Sequence, residues 1–146
     1  MKNRIVFITG STSGIGEGCA RKFASKGSDL ILNGRNEDKL LKLKNELESE
    51  FGIQVLPLVF DVRDRKAATD ALASLEGKWE NIDVLINNAG LVFGVDKEYQ
   101  GDLDEWDIMI DTNIRALLSM TRLITPGMVE RGRGHIINIG SIAGDA

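Results

Sequence analysis

The stretch Ile5-Val6-Phe7-Ile8-Thr9-Gly10-Ser11-Thr12-Ser13-Gly14-Ile15-Gly16 decides the fold of this 146-residue chain. Its apolar run of four reads as a buried strand, and three glycines then lead into residues 15–26, which suit a helix. Gly10 lets the chain reverse tightly. Gly14 and Gly16 carry no β-carbon to hold an anionic ligand away from the backbone amides of Ser11, Thr12, Ser13 and Ile15. Free N–H groups and partial positive charge at a helix start favour phosphate, so the segment reads as a cradle for a diphosphate. The competing reading is an ordinary glycine turn between a strand and a helix.

Outward from that loop, strand-like and helix-like patterns alternate. Residues 29–32 suit a second strand, after which Asn36 supplies a helix cap and Glu37 and Asp38 first-turn acids. Leu40, Leu43, Leu47 and Phe51 follow at helical spacing. Residues 55–60 read as a third strand, with Pro57 pointing to the outer edge of the sheet because proline donates no ladder hydrogen bond. A helix over 64–75 carries Ala67, Ala68, Ala71, Leu72 and Leu75 on one stripe. Residues 82–86 and 135–139 complete the strands. Between them a helical region over about 104–131 is expected to break near Pro126 and to close at Gly132 and Gly134. Near-continuous apolar strands joined through helices predict an α/β fold, a doubly wound parallel sheet of order 3-2-1-4-5. In such a sheet the crevice lies where the order reverses, which gathers the loops after strands 1, 4 and 5 at one edge.

Composition narrows the function. With 42% hydrophobic and 27% charged residues the chain reads as a globular protein of one domain, residues 1–146. No apolar stretch approaches the length that spans a bilayer, and Met1-Lys2-Asn3-Arg4 runs directly into strand residues, which makes a cytoplasmic setting the expectation. Eighteen lysines and arginines against 22 acids, a net charge of −4, argue against a nucleic-acid surface. One histidine, His135, and one cysteine, Cys19, argue against a metal site of the usual nitrogen and sulfur type. Cys19 falls early in a helix, where packing against the sheet is the expected role. Trp79, Trp106 and Met128 are likewise read as packing residues.

A dinucleotide fold tests the adenosine ribose at the end of its second strand, where an acid favours a free 2′-hydroxyl and an arginine accommodates a 2′-phosphate. Asn33-Gly34-Arg35 stands there, and the next acids, Glu37 and Asp38, are explained as first-turn charges. Arg35 therefore favours NADP(H) over NAD(H); a solvated charge beside the next helix is the alternative.

Taken together, Gly10-x-x-x-Gly14-x-Gly16, the Asp61-Val62 pair, Asn87-Asn88-Ala89-Gly90, Asn113 and Ser141 resemble the short-chain dehydrogenase/reductase family, in order and spacing along the whole chain. The segments 87–91, 126–131 and 134–141 are most similar to its NADP-dependent 3-hydroxy acid and serine dehydrogenases. The resemblance implies that Asp61 accepts a hydrogen bond from the adenine amino group with the Val62 backbone beside it, although Asp61 could also cap the following helix. It implies that Asn88 lies close to the cofactor, while Ala89 and Gly90 let the ribose and nicotinamide approach. Asn113 would mark a helix irregularity that holds a water in a proton relay; on its own it reads equally as a polar residue on a solvent-facing stripe. Ser141 would bond the substrate oxygen as charge grows there.

The same resemblance implies a tyrosine acid-base with a lysine four residues later, and this pair is absent. Tyr99 is the only tyrosine, and Leu103 stands four places on. The sequence therefore reads as the N-terminal part of a longer enzyme that moves a hydride between NADP(H) and a small 3-hydroxy acid or related secondary alcohol. Homo-oligomers, dimers or tetramers, are implied for the complete protein. A catalytically inactive dinucleotide-binding module or sensor is the alternative. Charge-assisted hydrogen bonds are worth roughly 1.5–3 kcal/mol. Replacement of Arg35 by alanine is thus expected to weaken NADP(H) about tenfold to over a hundredfold in a binding titration while sparing NAD(H).

Overall fold

Runs of isoleucine, valine and leucine pair as parallel strands because each can bury both faces of its backbone ribbon under helices. The computed structural model describes residues 2–94 and 97–141. Its strands are β1 (Ile5–Ile8), β2 (Asp29–Gly34), β3 (Val55–Val59), β4 (Val84–Asn87) and β5 (His135–Asn138). They form one parallel sheet in the order β3-β2-β1-β4-β5, as the sequence pattern predicts. Pro57 pairs opposite Leu32 on β3, an outer strand, where its missing N–H costs no interior ladder bond.

Alternation along each strand divides the core into two layers. Phe7, Ile31 and Leu85 point to one face, where Ala68, Ala116, Met120, Ile124 and Met128 pack on them. Val6, Ile8, Leu30, Leu32 and Ile86 point to the other, against Ala20, Ala24, Leu40, Leu43 and Leu47. Cys19 packs at the margin of this second layer, and Trp79 at that of the first. Full burial of a side chain such as Leu85 or Ile86 contributes roughly 1.5–3 kcal/mol, and these layers fix the sheet relative to its helices.

The helices begin where their capping residues dictate. In α1 (Gly14–Ser25) the first residue is itself a glycine of the loop. The Asn36 side chain accepts a bond from Lys39 N ahead of α2 (Glu37–Phe51), which Gly52 ends at φ 68°. Asp64, not Asp61, caps α3 (Arg65–Ala73) by accepting from Ala67 N. Asp102 caps α4 (Leu103–Ile110), and Gly132 closes α5 (Ala116–Arg131).

The expected break near Pro126 is not there. Pro126 lies within α5, whereas the irregularity is a π turn over Asp111–Arg115 that joins α4 to α5. Proline frees the carbonyl four residues before it, here that of Arg122; both residues are exposed, so water meets the freed group and the helix continues. β2 also runs two residues further than its apolar core, because Asn33 and Gly34 pair in register with Leu58 and Val59.

At the sheet end remote from the β1 loop, Asp83 is 4% exposed. Its carboxylate accepts from Ile5 N at 2.9 Å and pairs with Arg133 Nε at 2.9 Å and Arg4 Nη1 at 3.5 Å. It thus ties β1, β4 and the approach to β5. Both arginines are about half-exposed, so water screens the ion pairs and the buried Ile5 N–H matters most. Asp83→Ala is expected to destabilise the fold by about 2–3 kcal/mol in urea denaturation, and Asp83→Asn, which keeps an acceptor, by less.

Candidate functional site

The strand order reverses between β1 and β4, and helices leave these strands towards opposite faces, which opens a crevice beyond their carboxyl ends. Its volume is about 840 Å³, inside the roughly 300–1,000 Å³ of typical small-ligand sites. Thr12, Arg35, Asp61, Asn88, Asn113 and Ser141 are brought to its walls from six separate segments. Ser13, Ile15, Gly34, Val62, Ala89 and Gly90 line it too.

The floor is the loop between β1 and α1. Gly10 has φ +60°, and a β-carbon there would stand 2.9 Å from Ala89 Cα, so a side chain would push apart the loops after β1 and β4. Among the described residues, the N–H groups of residues 12–16 donate to no protein acceptor, whereas Glu17 N returns to the Ser13 carbonyl. Five donors at the start of a helix are thus left without protein partners, the condition under which a helix start attracts anions. Ile15, 62% exposed, stands beside them as an apolar wall.

Two residues of this loop are engaged by the protein itself. Ser11 is fully buried, and its N and Oγ both donate to the Asn33 carbonyl, at 2.9 and 2.8 Å. It fastens the loop to β2 and is not on the crevice wall. Gly16 is buried, and a β-carbon on it would overlap the Gly10 carbonyl and the Asn88 side-chain amide. Glycine is needed there for the packing of α1 against its own loop. Gly14, at φ +54°, has open space where a β-carbon would be, so its requirement is conformational.

Thr9 and Asn88 lock the two central loops together. Thr9 Oγ1 accepts from Asn88 N at 3.0 Å and Ala89 N at 2.9 Å, and Asn88 Nδ2 donates to the Thr9 and Gly10 carbonyls at 3.2 and 2.9 Å. Asn33, 2% exposed, works similarly on the other side. Its Nδ2 donates to the Leu58 and Phe60 carbonyls and its Oδ1 accepts from Gly10 N, which joins β2, β3 and the cradle. A buried threonine directly ahead of the first glycine was the signal for Thr9, which the sequence reading left without a role.

Arg35 extends from the end of β2, exposed, and among the described residues its guanidinium forms no ion pair. Asp61 faces the same part of the crevice and is held by Arg63. The fork places Arg63 Nε 3.1 Å from both carboxylate oxygens and Nη2 2.6 Å from Oδ2, while Arg63 N donates to Oδ1 at 2.9 Å. The Arg63 hydrogen bonds keep the Asp61 carboxyl below its ordinary range, so it stays ionised at neutral pH; burial opposes this, and Arg35 adds a weaker pull in the same direction. Arg63 was missed from sequence. An aspartate bonded to the N–H two residues on is an Asx turn, and that spacing was the available clue.

Near β4 and β5 the site is polar and cross-braced. Asn113 lies in the π turn, and its side chain holds one peptide unit by both ends: Oδ1 accepts from Leu91 N at 2.9 Å and Nδ2 donates to Leu91 O at 2.8 Å. Asn113 is itself exposed, and these two bonds tie the π turn to the loop after β4. Asn87 Nδ2 donates to Thr121 Oγ1 and to Asn138 Oδ1, at 3.1 and 3.0 Å. Asn138 stands three residues ahead of Ser141, and both lie on the wall. Tyr99 is 77% exposed and outside the lining.

Residues 4–146 match the profile of the short chain dehydrogenase family. The NADP-dependent 3-hydroxy acid dehydrogenase of Salmonella typhi is 49% identical over 140 residues, covering 96% of this chain and 55% of that protein. Serine dehydrogenase from Escherichia coli superposes with a TM-score of 0.91 at 46% identity, over 97% of this chain and 64% of that one. The closed form of serine dehydrogenase complexed with NADP+ superposes with a TM-score of 0.89 at 46% identity, over 97% and 56%. The chain spans about half the length of the curated relatives it matches.

Thr9→Val keeps the side-chain shape but strands the N–H groups of Asn88 and Ala89. Each unsatisfied donor costs about 1–3 kcal/mol. The expected outcome is a lower thermal midpoint together with weaker dinucleotide binding, read by differential scanning calorimetry and by titration.

Proposed function

Because the chain belongs to the short chain dehydrogenase family, we propose that its crevice binds NADP(H) and serves reversible hydride transfer between that cofactor and a small 3-hydroxy acid or related secondary alcohol. The observation that carries this reading is the row of five free N–H groups at the start of α1, set at the reversal between β1 and β4. These donors would hold the diphosphate. Arg35 would take the 2′-phosphate, Asp61 the adenine amino group with the Val62 backbone beside it, and Asn88, Ala89 and Gly90 would border the path to the nicotinamide. The bound nicotinamide supplies the hydride acceptor or donor.

The chain's own residues orient the partners and manage charge. Ser141 would donate to the substrate oxygen, stabilising negative charge that grows as the carbonyl is reduced. Asn113 fixes the Leu91 peptide, and the π turn around it is the irregularity that would seat a relay water. Tyr99 is too exposed and too far outside the lining to be assigned the acid-base role. A small hydroxylated acid as substrate is supported by relatives named for 3-hydroxy acids and serine. An inactive nucleotide-binding module finds no such support.

The proposal includes a homo-oligomer working in the cytoplasm. Exposed Leu103, Ile110, Ile114, Leu118 and Val129 offer apolar surface along α4, the π turn and α5 for contact between copies. Among the described residues no helix is long and apolar enough to cross a membrane.

Reduction of NADP+ by small 3-hydroxy acids, followed by nicotinamide absorbance in the full-length enzyme, tests the reading. Turnover with NADP+ in preference to NAD+ is expected, and Ser141→Ala should lower kcat by about 10²–10³ with cofactor affinity nearly unchanged. A protein that bound neither dinucleotide in calorimetry would refute the proposal outright.

A further inference from the structure

We propose that Arg63 is a positioning residue for cofactor choice: it holds Asp61 in one orientation and cancels its charge, which leaves Arg35 free for a 2′-phosphate. This rests on the NADP(H) reading above. Among the described residues, Arg35, Asp61 and Arg63 are the charged groups lining the crevice, at the place the NADP(H) reading gives to the adenosine. A carboxylate in that position is a liability for a cofactor with an additional phosphate, since like charges repel across a partly desolvated site. NAD(H) carries no such group. The same carboxylate is nevertheless useful for the adenine amino group, so its charge has to be balanced rather than removed.

Local geometry provides that balance. Asp64 N donates to the Asp61 carbonyl at 2.9 Å, a tight turn that brings Arg63 back over Asp61. Val62, 8% exposed, anchors the turn in the core, and Asp64 is occupied as the cap of α3. Arg63 is thus fastened on both sides, and its planar fork meets both oxygens of Asp61. Asp61 Oδ1 takes two donors from Arg63, the main-chain N–H and Nε, while Oδ2 takes Nη2 and the shared Nε. Among the described residues, the other acid that acts on Arg63, Asp111 in the π turn, is paired with Arg115.

Arg35 already acts on Asp61 through space. Without Arg63 it becomes the nearest cation to an uncompensated carboxylate, and the phosphate then competes with Asp61 for it. Loss of Arg63 should therefore penalise NADP(H) more than NAD(H), which loss of packing would not do.

The test is calorimetric titration of the full-length protein with NADP+, NAD+ and 2′,5′-ADP, with circular dichroism to verify the fold of each variant. Arg63→Met should weaken NADP+ and 2′,5′-ADP about tenfold and NAD+ by less than about threefold, with Arg63→Lys intermediate because charge remains but the fork is lost. Adding Asp61→Asn to Arg63→Met removes the uncompensated charge, and should bring the NADP+ to NAD+ affinity ratio back towards that of the unaltered protein. Equal losses for both dinucleotides, an unchanged ratio, or no recovery in the double variant each overturn the role of Arg63 while the nucleotide site stands. Failure of the unaltered protein to bind any of the three probes overturns the nucleotide site and this inference together.

Discussion

Four hydrogen bonds between Thr9-Gly10 and Asn88-Ala89 hold together the two loops on which the whole site depends. The loops leave adjacent strands whose helices go to opposite faces of the sheet, so nothing in the helix packing alone brings them together. Small residues allow the approach: a side chain on Gly10 would strike Ala89, and one on Gly16 would strike the Gly10 carbonyl. The buried hydroxyl of Thr9 and the amide of Asn88 then satisfy backbone groups that would otherwise be lost from water without partners. The loop between β1 and α1 is consequently held in place by the protein's own contacts.

Around this clasp the polar groups separate into those already engaged and those still available. Ser11, Asn33 and Asn113 use their side chains on the protein's own backbone, and Asn87 uses its amide on the side chains of Thr121 and Asn138. The N–H groups of residues 12–16 and the guanidinium of Arg35 have no such commitment among the described residues. All of these available groups attract anions, and Thr12, Ser13 and Ile15 share the lining of one crevice with Arg35. Asp61, the acid on that wall, is neutralised by its neighbour two residues on.

Much of the fold was legible in the chain because its signals are local. Apolar runs of four or five residues, the caps Asn36 and Asp64 and the terminating Gly52 and Gly132 act within a few residues of themselves. Pro126 misled because a proline need not end a helix: α5 continues through it to Arg131, with the exposed Arg122 four residues before it placed so that water can meet the freed carbonyl. The π turn at Asp111–Arg115 falls where the family resemblance implies an irregularity at Asn113, although spacing and composition alone do not mark it. It accompanies a contact between Asn113 and Leu91, 22 residues apart, which spacing along the chain does not reveal.

By itself the sequence determined the parallel sheet and its order, the glycine turn into the first helix, the arginine at the end of the second strand and the family likeness. Each of these follows from residue type at a fixed short spacing, where sterics and hydrogen bonding leave few alternatives. Tertiary structure alone decided which polar residues line the crevice and which turn into the protein. Ser11 and Thr12 are neighbours of similar chemistry, yet the carbonyl of Asn33 takes the donors of the first and leaves the second on the wall. The partner that makes the difference lies 22 residues away, on a strand that only folding brings alongside.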